Sequence, residues 1–468
     1  MKTLSVVLCC MSAVVFCNLE GAEKLSKGTK LMLERNKKDA AKKKKPLLNA
    51  QTKVLKNGLH VVVVEDHQVP RVSVGVLYHV GSCDDPENLL GISHMLEHMF
   101  FHGSKKYPNV SETISTLGGS TNAFTSEDCT MYIEDCPSDA VDVVLLLEAD
   151  RMANFFLHDD VVFQKERKAV FEERLMRVEN PPLGIANEYI TNALSPQHPY
   201  GREIIGMRHH ILAYSREAVM EHYRKWYGPN NATLVVIGDV NAAEIFKKAE
   251  NAFGGIKARP AVRRERVQNA ITEGIQHTVQ YCTDKVESEK VSLFYQAPHH
   301  KADGLDTCYA LCIGLDALFE GVVCKFCRHF VDKKGLVFGM DCSYDVESWD
   351  PKPVVIQVSL VPGVQYKKFS QEFEKEIQKV VAHGLDPREF DRAKKSCITD
   401  MVHLATDGHQ KIRMMLACLA LGLSIDDIEK THDRLEAVTL EQTNAVLKRV
   451  FAKEPVAIVR LCPEATAK

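Results

Sequence analysis

The sequence predicts an α+β protein built as two similar halves, on three grounds. A helix, a break and a strand are legible in order at Arg216–Gly238, with Gly228-Pro229 as the break, and the same order returns at Leu440–Val459. Each signature closes a stretch of about 200 residues, the size of a domain. Between them, strand periods of two and helical periods alternate along the chain. At 468 residues, 45% hydrophobic and 26% charged, the chain can bury a large core and holds two or more domains.

Residues 1–22 read as a targeting segment that sends the chain for export, to the periplasm if the source is a Gram-negative bacterium. Met1-Lys2 is a short basic start, Leu4 to Phe16 is an apolar run too short to span a bilayer, and small residues follow at Gly21-Ala22. Residues 23–50 form a basic lead-in, with Lys42 to Lys45 before Pro46, that suits peripheral contact with an anionic membrane surface. The first half, 51–265, opens on Leu55–Glu65, where Asn57-Gly58 marks a hairpin turn. Arg71–His79 alternates as the next strand. A helix is expected over about 88–103, another over Ser111–Leu117, a strand over Ala123–Glu134, and helices from Asp139 to about 180. The halves join near 255–275, and the second, 266–468, repeats the plan.

A formal net charge of −3 argues against nucleic acid as a partner. Of 15 cysteines, three fall in the targeting segment, which leaves 12. That number in an exported protein invites disulfides, while buried apolar cysteines account for the same count. Cys324-x-x-Cys327 is the one C-x-x-C pair.

The most informative string is His94-Met-Leu-Glu97-His98. On a helix, histidines at i and i+4 lie one turn apart on one face, where two imidazoles can hold one zinc ion. Glu97 then stands beside the metal, free to take a proton from a polarised water. The order reverses H-E-x-x-H and is the inverzincin signature. In a chain this rich in histidine the string arises by chance about one time in twenty, and alone it also fits an amphipathic helix with solvated histidines. A third ligand is available in the polar helix Phe163–Arg174, where Glu166 and Glu173 lie two turns apart on one face. Two histidines and one carboxylate leave a fourth position open, as a catalytic zinc requires.

His94-x-x-Glu97-His98, then 74 residues, then Glu173 within Glu166-Arg-x-x-Val-x-x-Glu173, resembles the pitrilysin/insulinase family of zinc metallopeptidases, in its small bacterial and mitochondrial-processing-peptidase-like branch. The likeness extends to Val80-Gly-Ser-Cys-Asp-Asp-Pro-Glu-Asn88, Met99-Phe-Phe-His-Gly103, Gly118-Gly119-Ser-Thr-Asn122-Ala123-Phe124-Thr125 and Trp226-Tyr-Gly-Pro-Asn230 through Gly238-Asp239. The resemblance implies that His94, His98 and Glu173 bind one Zn2+ per chain, that Glu97 is the general base and that Glu166 orients the site from behind the ligands. It implies two similar halves, each a mixed, mostly antiparallel sheet flanked by helices, the chain forming half of a clamshell chamber. Only the first half holds zinc, since the second has no H-x-x-E-H. Asn122, Ala123 and Phe124 match the edge strand to which a peptide substrate adds.

One departure stands out. Family members with full substrate sites carry in their second half an Arg and a Tyr seven residues apart, which hold the scissile carbonyl. Here the gapless match Cys324–Phe338 puts Val331 and Phe338 in those places, and neither side chain donates a hydrogen bond. The expected function is a zinc metalloendopeptidase acting on peptides or unfolded proteins. It is expected to be the catalytic subunit of a heterodimer whose paralogous subunit supplies the Arg/Tyr pair, with a homodimer as the alternative assembly. A catalytically silent structural subunit is the competing class.

Overall fold

The computed structural model describes residues 48–464, apart from 158, 263, 265–275 and 347. The targeting segment 1–22, nearly all of the lead-in 23–50 and the boundary expected at 265/266 lie outside the described residues.

The first sheet has six strands: β1 (Gln51–Val54), β2 (His60–Glu65), β3 (Arg71–Tyr78), β4 (Ser120–Thr125), β5 (Thr130–Pro137) and β6 (Ala232–Gly238), in the spatial order β1-β2-β6-β3-β5-β4. All neighbours are antiparallel except β2 and β6. Asn57-Gly58 makes the hairpin turn between β1 and β2, with Gly58 at φ +91°, a conformation that costs glycine nothing. The second sheet has β7 (His277–Thr283), β8 (Lys290–Tyr295), β9 (Val337–Ser343), β10 (Val354–Leu360) and β11 (Ala457–Pro463), in the order β7-β11-β8-β10-β9, with only β7 and β11 parallel. Without β1, the first order maps strand for strand onto the second. The two halves are therefore copies of one topology, each a mixed, mostly antiparallel sheet.

The principal helices of the first half are α1 (Ile92–Phe100), α2 (Val110–Thr116), α3 (Val141–Asn154), α4 (Asp160–Arg174), α5 (Gly184–Leu194), α6 (Arg208–Ala213), α7 (Arg216–Trp226) and α8 (Ala242–Phe253). Those of the second are α9 (Leu305–Phe319), α10 (Tyr366–His383), α11 (Pro387–Thr406), α12 (Gly408–Ala420) and α13 (Leu440–Phe451). The side-chain period of two divides each sheet into two apolar faces. Val72, Val74 and Val76 of β3 pack with α1, α3, α7 and α8 of their own half. On the opposite face, Val62, Val64, Leu77, Met131 and Ile237 pack against Ile412, Met415 and Leu416 of α12, which comes from the second half. The exchange is mutual. Helix α5 of the first half lays Ala186, Ile190 and Leu194 on Phe294, Ala457 and Val459 of the second sheet, whose other face carries α9, α10, α11 and α13. Each sheet is thus sealed by a helix borrowed from the other half.

Two expectations need correction. The motif helix is shorter than 88–103: it starts after Gly91 and ends at Phe100. Ala123–Glu134 is not one strand but the hairpin β4–β5, turned at Ser126–Cys129, where Ser126 Oγ accepts the amides of Asp128 and Cys129.

Candidate metal centre

Helix α1 is held by its first turn. Gly91, its N-cap, has φ +88°, and a Cβ there would lie 2.4 Å from Ile205 O, so the position requires glycine. The buried Asp85 carboxylate accepts from Gly91 N at 2.6 Å, Ser93 N at 3.1 Å and Ser93 Oγ at 2.6 Å, capping the electropositive helix end. Burial raises Asp85 to about 7 despite those bonds. At the other end Phe100 packs on the guanidinium of fully buried Arg151, 4.8 Å from its ring centroid. Arg151 also binds Glu134 of β5 and Glu148 of α3. Burial, with the nearby Glu148 charge, pushes Glu134 well above the carboxylate range. This ionic pin ties α1, α3 and the sheet together.

Helix α4 starts at the cap Asp159, whose carboxylate accepts Val162 N at 2.8 Å, and lies against α1. After Glu173 the helix widens into a π turn, Leu175–Glu179, of the kind often found at functional sites. Arg174 fixes it, reaching Glu179 at 3.0 Å, Glu188 at 2.9 Å and Gly206 O at 2.5 Å.

Across the two helices the structure brings together His94, His98 and Glu173, with one donor atom from each within 4.8 Å of the others. Glu173 Oε2 lies 3.6 Å from His94 Nε2 and 3.1 Å from His98 Nε2. Two ligands each about 2.0 Å from one tetrahedral ion stand roughly 3.3 Å apart, so these spacings fit zinc. Glu166 sits behind them. Its Oε2 is 3.6 Å from His98 Nδ1 and its Oε1 is 3.2 Å from His102 Nε2. Glu97 lies near His98 and Glu173 without joining the donor set: its Oε2 accepts the Thr125 hydroxyl at 2.6 Å, and Oε1 has no hydrogen bond among the described residues.

The electrostatics also fit a cation. Burial drives His94 down to about 3, which keeps the imidazole neutral as a ligand must be. Burial opposes charge on His98 as well, yet hydrogen bonds to Glu166 and Glu173 raise it to about 9. Its hydrogen bonds to His102 and His98 hold Glu166 at about 2. Glu173 also falls to about 2, because His98, His94 and Arg177 together outweigh its burial. Two carboxylates thus converge on one point and demand positive charge there. Burial raises Glu97, the direction a general base needs.

Sequence reasoning missed three neighbours. His102 continues the i, i+4 series of His94 and His98 and was legible by spacing. Arg177, 2.7 Å from Glu173 Oε1, follows Glu173 by the i+4 rule. Thr125 reaches Glu97 only through the fold, with no signal in spacing.

Asn122, Ala123 and Phe124 lie on β4, the edge of the first sheet. Asn122 Oδ1 covers the Ala123 amide at 2.9 Å, and Arg413 of α12 sits 4.4 Å from the Phe124 ring centroid. In the second half, Val331 packs on the core and Phe338 is 65% exposed on the edge strand β9. Helix α9, the counterpart of α1, has no histidine. Two further His/carboxylate groups occur among the described residues. In one, Lys334 and Lys379 already neutralise Glu372 and Glu376 around His329; the other, at His432, is mostly exposed.

Paired halves of this topology with an inverted H-x-x-E-H helix facing a glutamate helix are the architecture of the pitrilysin/insulinase type of zinc metallopeptidase. Residues 60–208 match the insulinase (peptidase family M16) domain and residues 213–397 the peptidase M16 inactive domain. The chain belongs to the insulinase family, peptidase family M16. It is similar to the zinc protease PqqE of Helicobacter pylori, 29% identical over 357 residues, 74% of this chain and 78% of that one. Zinc protease YmxG of Bacillus subtilis is 24% identical over 404 residues, 85% of this chain and 95% of that one. The crystal structure of a protease from Helicobacter pylori superposes with a TM-score of 0.80 at 24% identity, covering 89% of this chain and all of that one. Among the described residues no helix is long and apolar enough to cross a membrane.

Proposed function

We propose that the chain is a zinc-dependent endopeptidase that hydrolyses peptides or unfolded proteins. The observation that carries the reading is the donor set His94, His98 and Glu173 at zinc-ligand spacing, with Glu97 beside it and outside it. Held by those three residues, one zinc ion per chain would lower the pKa of water toward roughly 7 and polarise the scissile carbonyl. Glu166 orients His98 through its outer nitrogen, the usual arrangement behind a ligating histidine. Glu97 is the base. Thr125 pins one carboxylate oxygen, leaving the other to take the proton of the attacking water and pass it to the leaving nitrogen. The edge strand β4 offers a peptide main-chain pairing along Asn122, Ala123 and Phe124 once the Asn122 side chain turns off the Ala123 amide, so an extended segment fits and a folded one does not.

Oxyanion donors are the weak point, because Val331 and Phe338 supply none. Loss of one such donor costs roughly 3 kcal/mol of transition-state stabilisation. The reading therefore includes a paralogous subunit that brings an Arg/Tyr pair to close the chamber. The apolar run Leu4–Phe16 supports export of the chain. The test is zinc content together with cleavage of a quenched peptide, with and without an Arg/Tyr-bearing paralogue. One zinc per chain, slow cleavage alone and faster turnover on addition are expected. No zinc and no cleavage in either state supports the silent structural subunit instead.

A further inference from the structure

Cys324 and Cys327 stand apart from the metal centre, on the connection between α9 and β9. Both are free thiols, and the pair is arranged for reaction with itself. Cys324 opens a helical stretch that continues as the π turn Cys327–Lys333. Its sulfur accepts the amide of Cys327 at 3.2 Å. Residues three apart on a helical turn have Cα atoms about 5 Å apart, inside the range a disulfide spans without backbone movement. With Cys324 Sγ 3.2 Å from the Cys327 amide, the first sulfur already lies beside the second residue.

Their exposure differs in a useful way. Cys324 is 1% exposed, whereas Cys327 is only partly buried. The turn that leads into the pair carries Val322, 84% exposed, so solvent reaches this end of the helix. An incoming disulfide can meet Cys327 and cannot meet Cys324. Cys324 in turn has the Cys327 amide donating to its sulfur, a bond that favours the sulfur as it leaves or attacks.

We propose that Cys324 and Cys327 form a thiol–disulfide exchange site whose co-reactant is a small-molecule disulfide. The Cys327 thiolate attacks one sulfur of the co-reactant, the S–S bond breaks and one small thiolate leaves. Cys324 then gives up its proton and attacks the Cys327 sulfur of the mixed disulfide, and the second small thiolate leaves. Two protein thiols are oxidised to one disulfide, one small disulfide is reduced to two thiols, and the two protons end on those thiols. The product closes the first helical turn of the segment that runs through Phe330 and Val331 into the edge strand β9. The site does not depend on the zinc reading.

The test uses the full chain equilibrated in mixtures of reduced and oxidised glutathione, trapped with an alkylating reagent and mapped by peptide mass spectrometry. A peptide with Cys324 and Cys327 joined is expected in the wild type, and adding dithiothreitol should return both thiols. In Cys324→Ser, Cys327 should accumulate as the glutathione adduct at least about tenfold faster than partly exposed Cys282. In Cys327→Ser, Cys324 should stay free. Circular dichroism checks that both variants are folded. Two outcomes would overturn the proposal: both thiols remaining reduced in oxidised glutathione alone, or an adduct at Cys327 in Cys324→Ser no faster than at Cys282.

Discussion

Thr125 shows how single side chains tune the centre. Its hydroxyl donates to Glu97 and pulls down a carboxyl that burial raises. Thr125→Val removes that bond, so Glu97 should titrate higher and the acid limb of the pH–rate profile should move to higher pH, with kcat down about tenfold. An unmoved limb would separate Thr125 from the base. Glu173→Ala should lose zinc, because two histidines bind it too weakly, and full occupancy by metal analysis would point to another third ligand. His98 gives a pH test. Its folded value of about 9 lies above the ordinary 6.5, so in zinc-stripped protein its stabilisation is complete below pH 6.5 and is lost as pH rises through about 9. Zinc held by His98 as proposed would take the place of that proton. Denaturant titrations should therefore show zinc stabilising the protein more at pH 9 than at pH 6, and equal increments would contradict the shared site. At this scale the motif pair and both α4 glutamates were legible from i, i+4 and i, i+7 spacing, while Thr125 was not, since it reaches Glu97 only after β4 pairs at the sheet edge.

Elements meet across the halves at Gly75. A Cβ at this β3 position would lie 2.7 Å from Leu416 Cδ1 and 2.9 Å from Ile412 Cδ1, so α12 seats directly on the strand. Gly75→Val should destabilise by about 2 kcal/mol through overpacking. Leu416→Ala alone should cost about 3 kcal/mol, and the double variant should recover about 1 kcal/mol relative to additivity. Strict additivity in denaturant midpoints would mean that α12 does not sit there. The sequence carried part of this. Ile412, Met415 and Leu416 read as one helical face, and a glycine inside a strand hints at close approach. Nothing local says which sheet the helix covers, because packing between halves has no sequence period. The β4–β5 hairpin was hidden for a different reason: its turn is made by Ser126 accepting two amides, so only the weaker serine and aspartate signals mark it, with no glycine or proline.

For the whole molecule, the repeated helix, break and strand near the ends of the two halves revealed the duplicated topology, and with β1 set aside the strand orders match one for one. Sequence could not reveal that each sheet borrows a helix from the other half. That exchange predicts one cooperative unfolding transition, with fluorescence and far-UV circular dichroism coincident across the denaturant range; two separated transitions would show halves that fold independently. The duplication also sets the division of labour: α1 carries the histidines and its counterpart α9 carries none, so the proposed hydrolysis would rest on Glu97 alone. The most direct measurement is zinc content and quenched-peptide cleavage by Glu97→Gln beside the wild type, each alone and with an Arg/Tyr-bearing paralogue of the kind proposed. The variant should keep one zinc per chain and lose at least about a hundredfold in rate; cleavage at the wild-type rate by a zinc-loaded Glu97→Gln protein would contradict the account.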